Sequence, residues 1–371
     1  MIYLDNAATT ALDEDVLAAM LPYLQSNYGN SQSQHAAGRA AAQGLISARD
    51  RVAALFGCKS EELYFLSGGT EAGNLAVKGV CQSHGKGHLI ISAIEHPAVL
   101  ESALCMQKFG FEVTFIRPDS RGFISPEEVE KAVRPDTIFC AVMAANNEIG
   151  TIQNVQKIGE ICTRYNIFYY CDCVQSVGVV PFPMGVANAF AVSAHKFHGP
   201  KGVAAMYIKS GSKINGIISG GRQERGLRGG TVNVASAVGL AISLEKAAKG
   251  EHNAKIAALR NEFVKRILIE IEGTHLNGDP EERVPCNANI SFDGCNGENV
   301  LFCLDLKGIC VSTGSACSAG AVTPSHVIAA TAGEDRAKSA VRFTFGKYNS
   351  KVDVDLTVSA LKEIVSKIRK T

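Results

Sequence analysis

The sequence is short of several features that would have directed its reading elsewhere. Its 371 residues carry a formal net charge of only +1, so there is no electrostatic footprint for nucleic acid or for an anionic membrane surface. No apolar run approaches the ~20 residues needed to span a bilayer. The opening stretch MIYLDNAATT has no basic region followed by an apolar one, so no secretory signal is expected. None of the twelve cysteines falls in a Cys-x-x-Cys pair, which leaves a zinc site without support, and no metal is expected. Internal repeats and low-complexity segments are also missing.

What is present points to a soluble enzyme-sized chain. Hydrophobic residues make up 46% and charged residues 20%, enough for a sizeable core and two domains. Most cysteines sit in apolar segments such as 139-FCAVMAA-145 and 302-FCLDLKGIC-310. They read as small core residues in a reducing, cytoplasmic compartment.

Residues 36–57 read as an amphipathic helix ended by Gly57, and 68–80 open another helix after the short strand 62-ELYFLS-67. Strands are expected at 87–96, 111–116, 137–145, 167–172 and 189–194, with Pro97 at the first position of a helix, and the apolar run 203–208 leads into a Gly/Arg-rich loop. A long helical region is expected from about Val232 to Glu272, a further strand at 286–292 and a final helix at 353–370. Strands that are apolar throughout and alternate with helices argue for an α/β fold with a mostly parallel sheet covered on both faces. The expected division is a large domain over 15–255, and a smaller α/β domain made of 1–14 and 256–371.

Polar residues cluster just past the C-terminal ends of these strands: Ser67–Thr70, His96, Asn146–Glu148, Asp172 and Ser193–Lys196. In an open parallel sheet that edge binds ligands. In 67-SGGTEAGN-74 the free N–H groups of a helix N-terminus favour a phosphate, although an ordinary strand–helix turn reads the same way. Asp172 ends an apolar strand, where a buried carboxylate needs a cation or serves as a helix cap. Lys196 ends another in 193-SAHKFHGPKG-202, where a solvated lysine is the plain alternative. Taken together, a phosphate cradle, a carboxylate and a lysine are the parts that pyridoxal phosphate needs: the lysine bonds it covalently and the aspartate keeps its ring nitrogen protonated. His96 could stack on the ring or move protons.

The segments 3-YLDNAATT-10, 67-SGGTEAGN-74, 95-EHPAV-99, 146-NNEIG-150, 172-DCVQSVG-178, 193-SAHKFHGPKG-202, 220-GGRQERGLRGGT-231 and 312-STGSACSAG-320 together resemble the cysteine desulfurases of the NifS/IscS type. These belong to the class-V aminotransferase group, fold type I of the pyridoxal phosphate enzymes. The resemblance implies that Lys196 carries the cofactor and Asp172 meets its ring nitrogen. Asn147 and Gln175 would contact the ring hydroxyl. Gly69, Thr70, Ser193 and His195 would hold the phosphate, with Thr231 reaching the phosphate of a second subunit in a homodimer. His96 would stack and move protons, and Arg342, a planar donor, would clamp the carboxylate of L-cysteine beside Asn147.

Cys317 differs from the other cysteines. It lies in 312-STGSACSAGAVTPSH-326, a run of small residues followed by Pro324, which reads as a loop able to carry an exposed thiol. The resemblance makes it the residue that takes sulfur from L-cysteine as a persulfide, leaving alanine, and passes it to a protein acceptor such as an iron–sulfur scaffold or a thiolation protein. The sequence stops at 367-KIRKT-371, short of the tail with which some family members meet their scaffold, which puts that contact in doubt. Cys173, beside Asp172, stands where family members often have another residue. An aminotransferase or lyase of the same cofactor class would share Lys196 and Asp172 without needing Cys317. A non-catalytic relative would need none of the three.

Overall fold

The computed structural model describes residues 1–314 and 324–370. Its strands are β1 (Ile2–Tyr3), β2 (Leu63–Leu66), β3 (His88–Ser92), β4 (Glu112–Ile116), β5 (Thr137–Ala141), β6 (Phe168–Asp172), β7 (Ala189–Ser193), β8 (Ala204–Ile208), β9 (Thr274–Asn277), β10 (Asn287–Phe292), β11 (Ile309–Cys310) and β12 (Ala340–Thr344). Seven of them form one sheet in the order β2-β8-β7-β6-β5-β3-β4. All neighbours from β7 to β4 are parallel. β8 runs against both β7 and β2.

The reason for the parallel arrangement is visible in the burial. Every residue of β3, β6, β7 and β8 is buried. Such strands need helices on both faces, and each fully buried Phe, Leu or Ile side chain contributes roughly 1.5–3 kcal/mol. One apolar layer gathers Phe56, Cys140, Tyr169, Phe190 and Leu244, and the other gathers Leu75, Ile91, Phe139, Tyr170 and Met206. A separate core around Phe263, Phe292, Phe343 and Leu361 packs beneath the three-stranded antiparallel sheet β12-β10-β9. β1 pairs in parallel with β11, so the start of the chain is joined to its last third.

The sheet is mostly parallel, as expected; β8 folds back against β7 after a turn of ten residues between Ser193 and Ala204, too short for a crossover. One expectation is corrected. The helical region from Val232 is two helices, Val234–Ala248 and Asn253–Glu270, because Gly250 adopts φ +62°, a left-handed conformation that ends a helix. Gly57 caps the helix Ala36–Phe56 in the same way, with φ +76°. Among the described residues, no helix is long and apolar enough to cross a membrane, and no group of three or more His, Cys, Asp or Glu is placed to hold a metal ion.

Candidate active site

Because β2, β3, β5, β6 and β7 run the same way, the residues following them arrive at one edge of the sheet. There they line a cleft of about 640 Å³. Gly69, Thr70, His96, Asn147, Asp172, Gln175, Ser193, His195, Lys196 and Arg342 all face it. Two expected residues do not. Thr231 lies outside the cleft, exposed, just ahead of the helix Val234–Ala248. Cys317 lies outside the described residues, although Gly314, three positions before it, is on the cleft wall.

Asp172 is the last residue of β6 and is buried. The Val174 N–H donates to its Oδ1 at 2.8 Å. Burial pushes its carboxyl upward, while that N–H and the neighbouring His96 and Lys196 pull it back. Close to it lies Glu95, wholly buried, with Oε1 accepting from the Met143 N–H at 2.6 Å and Oε2 without a hydrogen-bond partner among the described residues. Burial, and then the nearby Asp172 charge, push Glu95 up to about 8. Glu95 is therefore neutral at pH 7 and spares Asp172 a second negative charge.

His96 caps the helix Pro97–Gln107, its Nδ1 accepting from the Ala98 N–H at 3.1 Å. Burial lowers its pKa, so the ring is neutral and carries its proton on Nε2, ready to donate. The helix Gly69–His84 begins at Gly68 without a side-chain cap. Its first N–H groups and the positive end of its dipole thus point at the cleft beside Thr70.

The lysine sits in a tight turn after β7. Its Nζ donates to the carbonyls of Ala7 and Ala8 at 2.8 and 2.9 Å. The Thr10 hydroxyl spans the same turn, donating to the His195 carbonyl at 3.0 Å and accepting from the His198 N–H at 2.7 Å. That contact holds His198 at φ +64°, a left-handed conformation a non-glycine residue adopts only when its surroundings impose it. His195 Nδ1 is hydrogen-bonded to the Thr9 hydroxyl at 3.2 Å, and Gln175 Nε2 donates to the Ala7 carbonyl at 3.0 Å. Sequence reasoning reached 3-YLDNAATT-10 only as a matching segment. Its work as the brace of Lys196 depends on contacts spanning more than 180 positions.

Arg342 is the middle residue of β12 and is buried. It donates to the Asn147 carbonyl at 3.0 Å and to Asp5 Oδ1 at 2.9 Å. Its Nε is buried without a partner among the described residues. Cys171 and Cys173 are buried on the sheet face opposite Asp172, their sulfurs 3.8 Å apart. Cys303 and Cys310, expected in the core, are only half-buried.

This donor set fits pyridoxal phosphate: an uncapped helix start with Thr70, Ser193 and His195 for a phosphate, a buried carboxylate for the ring nitrogen, and a primary amine between them. Fold and site together define a pyridoxal-phosphate-dependent enzyme of fold type I. The chain matches the Aminotransferase class-V family over residues 2–357. It is 42% identical to cysteine desulfurase IscS of Dictyoglomus turgidum, covering 99% of this chain and 95% of that protein. Among solved structures, a NifS-like protein superposes with a TM-score of 0.92 at 37% identity and 99% coverage of both chains. A structure of SspA in complex with cysteine superposes with a TM-score of 0.83 at 31% identity, covering 94% of this chain and all of that one. The chain belongs to the class-V aminotransferase family and, within it, to the cysteine desulfurases of the IscS and NifS kind.

Proposed function

We propose that the enzyme converts L-cysteine to L-alanine and carries the removed sulfur as a persulfide on Cys317, for delivery to a protein acceptor serving iron–sulfur cluster assembly or thiolation. The observation that carries this reading is the single cleft into which Lys196, Asp172, His96, Arg342 and the uncapped helix start at Gly69 converge, with Gly314 on its wall. Pyridoxal phosphate, when bound, supplies an electron sink that acidifies the substrate's α-hydrogen and loosens its bond to sulfur.

The chain's own residues do the rest. The N–H groups at Gly69 and Thr70, with Ser193 and His195, would hold the phosphate. Asp172 would keep the ring nitrogen protonated, and Asn147 and Gln175 would meet the ring hydroxyl. Arg342 takes the substrate carboxylate. Lys196 and His96, the latter through Nε2, are placed to move protons at the substrate carbons. The Cys317 thiolate attacks the substrate sulfur. A sulfur–sulfur bond forms, the carbon–sulfur bond breaks, and its electron pair stays with the carbon skeleton, which takes up a proton and leaves as alanine. Cysteine and a thiol thus become alanine and a persulfide, with no outside oxidant. Such a persulfide survives in a reducing compartment such as the cytoplasm only until it is handed on.

Residues 15–255 are read as the large domain, with 1–14 and 256–371 as the small one. Thr231, exposed outside its own cleft, suits contact with the cofactor phosphate of a second copy in a homodimer. The test is alanine and sulfide release from L-cysteine with a thiol reductant, comparing the wild type with Cys317→Ala. Equal release of both products by the wild type and near-complete loss in the variant is the expected result. A variant that makes alanine at the normal rate would refute the role of Cys317.

A further inference from the structure

One buried carboxylate outside the chemistry just described meets both ends of the segment that carries the reactive cysteine. Glu148 is 3% exposed. Its backbone is held firmly: the N–H donates to Asn146 Oδ1 at 2.9 Å, and its carbonyl accepts from Asn287 and Asn289 Nδ2 at 3.0 and 3.1 Å. Its Oε2 accepts from the Ser325 hydroxyl. The same hydroxyl accepts from the Ile328 N–H at 3.1 Å, so it is fixed from two sides.

Oε2 also lies against Gly314. A β-carbon built on Gly314 would overlap that oxygen and would stand 3.0 Å from the Ser325 β-carbon. Gly314 is therefore a glycine because the carboxylate occupies the place of its side chain. Two residues earlier, Ser312 and Arg342 exchange backbone hydrogen bonds of 3.2 and 2.6 Å, tying this stem to the strand that carries the carboxylate clamp. Residues 314 and 325 are thus pinned together on one oxygen, next to Asn147 and Arg342 on the cleft wall.

We infer that Glu148 is a positioning residue for Cys317, fixing the two stems of its segment relative to the substrate carboxylate site. The inference rests on the reading of Cys317 as the sulfur acceptor. Three peptide units separate Gly314 from Cys317, which keeps the Cys317 Cα within about 11 Å of the Gly314 Cα. A shift of the stem therefore moves the zone in which the thiol can meet substrate sulfur, and a misplacement of about 1 Å costs on the order of 100-fold in rate. L-cysteine binds through Arg342 and the cofactor, and Arg342 hydrogen-bonds Asn147 and Asp5 rather than the Glu148 carboxylate, so binding should suffer much less than persulfide formation.

The experiment uses cofactor-loaded enzyme and L-cysteine. It follows the cofactor absorbance change on substrate addition, kcat and KM for alanine, and persulfide on the Cys317 peptide by mass spectrometry after a single quenched turnover. Gly314→Ala should lower kcat and persulfide formation about 100-fold, with KM and the absorbance change within about threefold of wild type. Glu148→Ala should lower persulfide formation too. The double variant should recover at least about tenfold over Gly314→Ala alone, since removing the carboxylate makes room for the new methyl group. Glu148→Gln, which keeps the shape and still accepts the Ser325 hydroxyl, should retain more activity than Glu148→Ala and covers the case in which the alanine variant fails to fold. Losses that simply multiply in the double variant, or that appear equally in the absorbance change on substrate binding, overturn the inference. A wild-type enzyme that makes alanine without persulfide on Cys317 instead removes the reading on which it stands, and the inference with it.

Discussion

Replacing Arg342 with lysine separates charge from geometry at the carboxylate end of the cleft. The guanidinium already spends two donors, on the Asn147 carbonyl at 3.0 Å and on Asp5 at 2.9 Å, and holds a buried Nε in reserve. A lysine keeps the positive charge but has one nitrogen to divide among Asn147, Asp5 and the substrate. The loss of one charge-assisted hydrogen bond to the substrate costs about 1.5–3 kcal/mol. At about 1.4 kcal/mol per factor of ten, kcat/KM should fall roughly 10- to 150-fold. The carboxylate is remote from the bond that breaks, so the loss should fall mainly on KM. Alanine is a less informative change, because it also strips Asp5 of its cation; that costs about 2–3 kcal/mol of stability for a pair with side chains 6% and 20% exposed. The assay is steady-state alanine production over a range of L-cysteine, with melting temperature and bound-cofactor absorbance as controls. A lysine variant that folds, holds cofactor and keeps kcat/KM within about threefold would refute the clamp, as would a loss confined to kcat.

Two further predictions concern pH. Burial pushes the Asp13 carboxyl up, but hydrogen bonds from Lys347 and Lys246, with the charges of Lys347 and His198, outweigh it and hold it at about 2. That is worth about 2.4 kcal/mol at neutral pH, fully present above pH ~4 and lost as the pH falls from about 4 towards 2. Asp13→Asn should therefore be less stable by about that amount at pH 7 in denaturant unfolding, with a gap that narrows at pH 3; a gap that stays constant contradicts the assignment. Burial, then the charges of Lys196 and Lys201, hold His195 at about 4, so the neutral ring favours the fold. In the cofactor-free chain this support is complete above pH ~6.5 and drains away as the pH falls towards 4. Melting temperature should drop less between pH 7 and 5 in His195→Asn than in the wild type, and less in the cofactor-loaded wild type, whose phosphate draws the histidine's pKa up. Identical pH dependence in all three would disprove the placement.

The residues legible in the sequence are those whose meaning depends on one strand end. Asp172 and Lys196 each close an apolar run, and the parallel sheet then delivers both to one edge without further information. The glycine turn at 68–70 and Pro97 mark helix starts by local rules alone. What escaped depends on distant partners. Nothing near Glu148 announces that Gly314 and Ser325 will settle on its carboxylate. Glu95 reads as an ordinary charged neighbour of His96 until burial close to Asp172 makes it neutral. The direction of β8 had no signal, because apolar content marks strands but not which way they run, and the break at Gly250 was missed because one glycine in a helical stretch is often tolerated. The role of Thr231 rests on resemblance, and that of Cys317 on resemblance together with the run of small residues around it.

The brace of Lys196 has a consequence for synthesis. The carbonyls of Ala7 and Ala8 and the hydroxyl of Thr10 are synthesised well before the segments that seat them: β1 is held by β11, and the Ala7 N–H by the hydroxyl of Thr344. At 5–20 residues per second, the opening segment waits on the order of 15–60 s for the strands that seat it. The lysine turn and the sheet edge can form earlier, but without their brace. A nascent chain stalled before Ile309 should bind pyridoxal phosphate weakly, so commitment to the cofactor waits until β11 and β12 have been made.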